Sequence, residues 1–359
     1  MQKTSKMESP TMEMDLKDVT LEITRKCPLN CIFCSSNGGE PHKNELSIIE
    51  WKKIIDEAQD LGANSLLVSG GEPFTSPYLE ELCEYINTKL MDLSIYTSGN
   101  VYNKNRITSL KVSDLNFITK LKTTRIVISL EGSNEFIHDE LTGIKGSFIN
   151  AIKSIKTIKK LNIPLETHLV PTKKNYKDIK NVVLLAHELG VNKISILRFV
   201  PQGRGAINRD ILELNKGELI ELKEILSSLE NKNDFIRIGS PFNPFLLSKN
   251  YRCTAGQNRI TIKYDGLAIP CEAFKFMANY YNEEIDVRKN SLLEIMINSS
   301  LFKNVRKIRE NNIIDLCNTC EFIDNCHGGC PAQKLLKNNI YNDPICLKSC
   351  INMEIGDKI

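Results

Sequence analysis

The chain has 359 residues, 41% of them hydrophobic and 25% charged, which excludes an extended disordered polypeptide and provides for one large α/β unit plus a smaller attachment. Its 47 basic and 44 acidic residues leave a net charge of +3, so no electrostatic footprint for nucleic acid stands out. Met1–Leu16 lacks the apolar core of a signal peptide and no run of about eighteen apolar residues occurs, so the expectation is a cytoplasmic protein with no membrane partner.

Residues 1–17 are polar and read as a flexible tail. From Asp18 onward, short β-rich runs alternate with amphipathic helical segments, the pattern of βα units and a parallel sheet. The first strand carries Val19, Leu21 and Ile23 and runs into Thr24–Cys34, where Cys27, Cys31 and Cys34 stand at CxxxCxxC spacing. Ser47 to Glu50 is a capping box that opens a helix with the apolar stripe Trp51, Ile54, Ile55, Ala58 and Leu61. Further strands are expected at Leu66–Val68, Leu93–Thr97, Arg125–Leu130, Leu165–Val170 and Lys193–Phe199. Helices are expected near 77–89, 111–121, 148–161 and 175–190, and a last one is capped by Asn215 and Glu218. Six such units give a partial, open (βα)6 barrel of the TIM type over residues 18–205, followed by a sixth helix and linker over 206–245. Active sites of such sheets lie at the C-terminal strand ends, where the cysteine loop stands.

Three thiolates on one tight loop can each take an iron of a [4Fe–4S] cluster, which ordinarily takes four, so one iron is left open. By spacing alone a zinc loop is the alternative. The second strand ends in Ser69-Gly70-Gly71-Glu72, where paired glycines let backbone approach a ligand and a carboxylate can bind an ammonium group. Ser129 ends the fourth strand, and Glu166 and His168 share a face of the fifth. From about Ser240 the strand-helix alternation stops and cysteines return: Cys253, Cys271, Cys317, Cys320, Cys326, Cys330 and Cys346, with a hairpin turn at Asp265-Gly266. Ten of the chain's 12 cysteines fall into ligand spacings, which in a reducing compartment favours metal ligation over disulfides. Cys83 lies on an apolar helical stripe and reads as core, while His42 and His138 are read as loop residues.

CxxxCxxC followed one βα unit later by Gly70-Gly71-Glu72 resembles the radical S-adenosylmethionine (SAM) superfamily, and the second cysteine set resembles its SPASM extension over residues 246–359. The resemblance implies a SAM-binding [4Fe–4S] cluster on Cys27, Cys31 and Cys34. It implies two auxiliary [4Fe–4S] clusters, an inner one on Cys253, Cys271 and Cys330 and an outer one on Cys317, Cys320, Cys326 and Cys346. No second cysteine lies just ahead of Cys253, so the inner cluster keeps an open iron or takes Cys350 or a non-cysteine ligand. The implied cofactor contacts are Gly70, Gly71 and Glu72 with the SAM amino group and Ser129 with its ribose; Glu272, after the second SPASM cysteine, stands where some members carry a catalytic aspartate.

The implied activity is an oxidoreductase reaction: reductive cleavage of SAM to a 5′-deoxyadenosyl radical that abstracts hydrogen from substrate. The electron would come from a donor such as flavodoxin or ferredoxin. A ribosomally made peptide is the expected substrate, with sulfatase-type formylglycine formation and a tetrapyrrole or antibiotic precursor as alternatives. Only some seventeen residues precede the first strand, so recognition is expected from the barrel mouth, the SPASM region or a separate partner rather than from an attached leader-binding module.

Overall fold

A computed structural model of the chain describes residues 15–104, 106–230, 234–247, 252–310, 317–336 and 343–346. Its strands are β1 (Asp18–Glu22), β2 (Ser65–Ser69), β3 (Asp92–Thr97), β4 (Asn100–Asn103), β5 (Arg106–Ser109), β6 (Thr124–Ser129), β7 (Leu165–Leu169), β8 (Lys193–Ile196), β9 (Ile236–Ile238), β10 (Arg259–Ile262) and β11 (Ala268–Ile269). Nine of them form one sheet in the order β11-β10-β1-β2-β3-β6-β7-β8-β9, and β4 and β5 form a separate hairpin. Every pairing from β10 through β9 is parallel, with registers such as Val19 opposite Leu66 and Ser129 opposite His168; only β11 runs antiparallel, on β10.

Strand residues alternate between two environments. Val19, Leu21, Leu66, Val68, Ile95, Ile126, Ile128, Ile194 and Ile196 are buried in one apolar core with Trp51, Ile55, Leu82, Ile86, Ile155, Val182 and Leu226 from the helices packed on that face. Each such side chain contributes roughly 1.5–3 kcal/mol when fully buried. Those helices start and stop where their sequences dictate. Ser47 accepts from Glu50 N at 3.4 Å while Ser47 N donates to the Glu50 carboxylate at 2.7 Å, closing the capping box at the head of helix Ile48–Asp60. Asn215 and Glu218 exchange the same pair of bonds, at 3.0 and 2.7 Å, ahead of helix Lys216–Glu230.

Several elements differ from the sequence reading. A seventh parallel strand, β9, lies within the stretch read as a linker, and the β4–β5 hairpin precedes the region expected to be one helix at 111–121. That region holds two short turns, Val112–Leu115 and Ile118–Lys120, because Leu115, Phe117 and Ile118 are all buried and one continuous α-turn cannot turn three such neighbours inward together. Helix Glu135–Thr142, capped by Asn134 and ended by Gly143 at φ +70°, places His138 in a helix and buries it. Leu16, within the expected tail, is buried and donates its N–H to Leu61 O at 3.0 Å. The expected hairpin forms as β10–β11, with Gly266 at φ +89°, but β10 also pairs with β1 and so carries the barrel sheet into the C-terminal region. Cys83 is fully buried in the core. Among the described residues no helix is long and apolar enough to cross a membrane.

Candidate radical SAM and iron–sulfur sites

The cysteine loop leaves the end of β1 and is braced from three sides. From β2, Gly71 N donates to Thr24 O at 2.6 Å and Glu72 N to Lys26 O at 2.8 Å. The two glycines are required by this contact: a Cβ on Gly70 would stand 2.4 Å from Thr24 O, and one on Gly71 would stand 2.4 Å from Lys26 O. From beyond β8, Arg204 donates to Cys31 O at 2.9 Å and to Gly38 O at 2.7 Å, and Asn208 donates to Ile32 O at 3.0 Å. Helix Glu135–Thr142 supplies the third brace, with Asn30 N on Thr142 O and Ile32 N on Leu141 O at 3.1 and 2.9 Å. The Glu45 carboxylate ties the start of the loop to its end by accepting from Arg25 N at 2.8 Å and His42 N at 3.0 Å. Glu45 was not singled out in the sequence, and Arg204 only within the Pro201–Gly205 strand end that resembles cavity-lining positions of the family, with no bracing role read for it.

Inside this loop the thiols act on one another. Burial pushes Cys27 up to about 12, with the charges of Glu72 and Cys34 adding to it. Cys31 is raised further by burial and by the charges of Cys34, Cys27 and Glu131. Bare thiolates packed this closely repel, and cationic iron would supply the missing charge.

The face of the sheet opposite the helices is polar and concave. Tyr96 of β3 stacks on His168 of β7, with ring centroids 5.3 Å apart, across the intervening β6. Burial raises the Tyr96 hydroxyl, which also sits in the field of Arg237 on β9 and of Glu272, so distant strands look onto one space. Ser129 Oγ lies 3.1 Å from His168 Nε2, while His168 Nδ1 is buried without a protein partner and burial holds the imidazole down at about 4. The Glu72 carboxylate is fully buried and accepts from Thr97 Oγ1, Phe74 N, Ser98 N and Ser98 Oγ at 2.6–3.3 Å. Burial raises its pKa against those four donors.

The C-terminal segment closes over the β1 side of this space. Glu272 accepts from Thr20 Oγ1 at 2.6 Å; burial raises its pKa, but Arg259, Thr20 and Lys275 outweigh that and hold it below the usual carboxylate range. Lys275 forms a buried ion pair with Glu22 and donates to Ser35 Oγ and Ser36 Oγ at 3.1 and 2.6 Å, immediately beyond Cys34. Gln202 joins both parts, donating to Glu272 O at 2.7 Å and accepting from Phe276 N at 3.2 Å. Further along, the thiols fall into two groups by their mutual fields. Cys271 is raised by burial, Glu272, Cys253 and Cys330, whereas Cys326 is pushed up to about 12 by burial, Cys346, Asp343 and Cys317. Cys320 is felt by Cys317 and donates its N–H to Cys317 O at 3.2 Å. No three His, Cys, Asp or Glu among the described residues are arranged to hold a single metal ion, whereas a cluster spreads its thiolates over separate irons. Cys350 lies outside the described residues.

Residues 21–186 match the family model of the radical SAM superfamily, and residues 253–321 match that of the SPASM iron–sulfur cluster-binding domain. The chain carries a radical SAM domain and a SPASM domain. It is 25% identical over 353 residues to an AdoMet-dependent heme synthase of Methanosarcina barkeri, covering 92% of this chain and 95% of that protein. It is 27% identical over 352 residues to a PqqA peptide cyclase of Ruegeria pomeroyi, covering 95% and 90%. The fold is shared with Streptococcus suis SuiB bound to its precursor peptide SuiA, at a TM-score of 0.73 and 20% identity over 93% of this chain and 76% of that one. It is also shared with anSMEcpe carrying AdoMet and a peptide, at 0.69 and 16% over 93% and 94%.

Radical SAM and SPASM domains use [4Fe–4S] clusters and SAM. The donor sets in this radical SAM protein fit them: three mutually repelling thiols on a braced loop beside a glycine turn, and two further thiol groups in the SPASM segment.

Proposed function

We propose that this radical SAM enzyme modifies a ribosomally made peptide. The observation that carries the reading is the polar concave face between the cysteine loop and the SPASM segment. It offers the hydroxyls of Thr20, Tyr96 and Ser129, the His168 imidazole and the Glu272 carboxylate, which suit a peptide backbone better than a flat apolar macrocycle. Relatives named for peptide substrates support it.

When bound, the cluster on Cys27, Cys31 and Cys34 supplies the electron for reductive cleavage of SAM to methionine and a 5′-deoxyadenosyl radical, which takes hydrogen from the substrate. In this reading the Ser69–Glu72 turn meets the SAM amino group through its backbone. The Glu72 carboxylate fixes that turn to Thr97 and Ser98 at the end of β3, and Ser129 faces the ribose. Cys253, Cys271 and Cys330 hold the inner auxiliary cluster, and Cys317, Cys320, Cys326 and Cys346 hold the outer one. A flavodoxin or ferredoxin supplies electrons from outside. Glu272, with its lowered pKa, is a weak proton acceptor, so its first role is to hold Thr20 and Arg259. That disfavours the formylglycine reaction, which asks for a base there. A tetrapyrrole substrate is the second reading, favoured by the relative named a heme synthase.

The test is anaerobic reconstitution, reduction and incubation with SAM and a candidate precursor peptide, with deuterium on the residue to be modified. Deuterium should appear in 5′-deoxyadenosine. Deoxyadenosine formation stimulated by a tetrapyrrole and not by the peptide would move the assignment to the second reading.

A further inference from the structure

The Arg198 and Asp343 side chains meet at the junction of barrel and SPASM segment, 7% and 1% exposed. Arg198, just past β8, grips the carboxylate with both terminal nitrogens, Nη1 to Oδ2 and Nη2 to Oδ1, each at 2.8 Å. Its Nη1 also donates to Pro241 O at 3.0 Å. The carboxylate is then filled from the other side: Oδ2 accepts from Cys330 N at 2.7 Å and Oδ1 from Ile345 N at 3.0 Å. Asp343 O accepts from Cys346 N at 2.9 Å, which closes a tight turn on that cysteine. The fit is close, since a Cβ on Gly329 would stand 2.5 Å from the Asp343 side chain.

Cys330 belongs to the inner thiol group and Cys346 to the outer one, so one residue touches the ligand backbone of both: its carboxylate holds Cys330 N and the N–H of Ile345, next to Cys346, and its main-chain carbonyl accepts from Cys346 N. We infer that Asp343, anchored by Arg198, is a positioning residue that fixes the two auxiliary clusters relative to each other and to the barrel. The inference rests on the ligand sets proposed above. A buried ion pair is a poor device for stability alone, because desolvating both charges offsets most of their attraction. What a bidentate pair fixes well is geometry, and electron exchange between clusters depends steeply on their separation. The pair also places opposite charges beside the inner cluster, and cluster potentials respond to local charge and hydrogen bonding.

The experiment uses the full chain, reconstituted anaerobically, with iron content, cluster potentials and the magnetic interaction between reduced auxiliary clusters as readouts. The wild type should hold about twelve irons, at four per cluster. Asp343→Asn keeps the shape but turns an acceptor into a donor facing two N–H groups. It should keep the SAM cluster and basal deoxyadenosine formation while altering or abolishing the spin–spin interaction of the auxiliary pair. Where the pair persists, Asp343→Asn should raise the inner-cluster potential and Arg198→Met should lower it, opposite signs that a merely structural role would not produce. Arg198→Lys keeps the charge but not the two-point grip, and covers the case in which Asp343→Asn does not accumulate; it should alter the interaction with little change in potential. Wild-type iron, interaction and potentials in both Asp343→Asn and Arg198→Lys would overturn the inference alone. A wild-type chain with only about four irons would remove the ligand reading and the inference with it.

Discussion

Glu72 accepts four protein hydrogen bonds, so its carboxylate braces β2 against the end of β3, and under the function proposed above the turn it belongs to would meet SAM through backbone. The same economy governs His138. Its Nδ1 accepts from Glu131 N at 3.1 Å, and burial lowers its pKa to about 4. His168 is lowered to about 4 in the same way. Between that value and the unfolded value near 6.5, the unfolded chain binds protons that the folded chain refuses, so stability is present above about pH 6.5 and is lost as pH falls toward 4. His138→Asn keeps an acceptor for Glu131 N without a titrating ring. Urea midpoints should fall between pH 7 and pH 5 in the wild type and fall less in the variant; equal slopes would refute the assignment. His138 could not be placed from sequence because the helix carrying it has a short apolar pattern, and its cap at Asn134 and stop at Gly143 were the only signals.

At the scale of elements, the six principal strands and all their helices but the one expected at 111–121 were legible because apolar residues recur with the period of each element, and caps at Ser47 and Asn215 mark two of the helix starts. The bracing of the cysteine loop was not legible, since most of its acceptors are backbone carbonyls that any sequence presents and the side chains that reach them, Arg204 and Asn208, lie far along the chain. Gly203 tests it. At φ +59° a Cβ there would stand 2.5 Å from Cys34 O, whereas one on Gly39 meets nothing within 4 Å. Gly203→Ala should therefore displace the loop and cost about four irons after reconstitution, and Gly39→Ala should keep them all. Equal iron in both variants would show that the loop does not depend on this contact.

For the whole molecule, the decisive pairing is β10 on β1, which makes the SPASM segment an edge of the barrel sheet. Lys275, Gln202 and Arg198 add polar ties across the same junction. A chain ended after Leu247 would expose the N–H and C=O groups of Asp18–Leu21 as an open edge. We expect it to be recovered mostly as aggregate, measured by soluble yield and light scattering against the full chain. A monodisperse truncated barrel that keeps its SAM cluster would show the two parts to be separable.

Sequence by itself determined the six principal strands, most of their helices and the CxxxCxxC loop followed by Gly70-Gly71-Glu72 that carries the resemblance to radical SAM proteins, because period and ligand spacing are local properties of the chain. Only the tertiary structure decided that β10 joins β1, that Lys275 reaches Ser35 and Ser36, and that Asp343 lies between Cys330 and Arg198. Such contacts join residues far apart in the chain, and no local signal marks a partner that chain folding alone brings near.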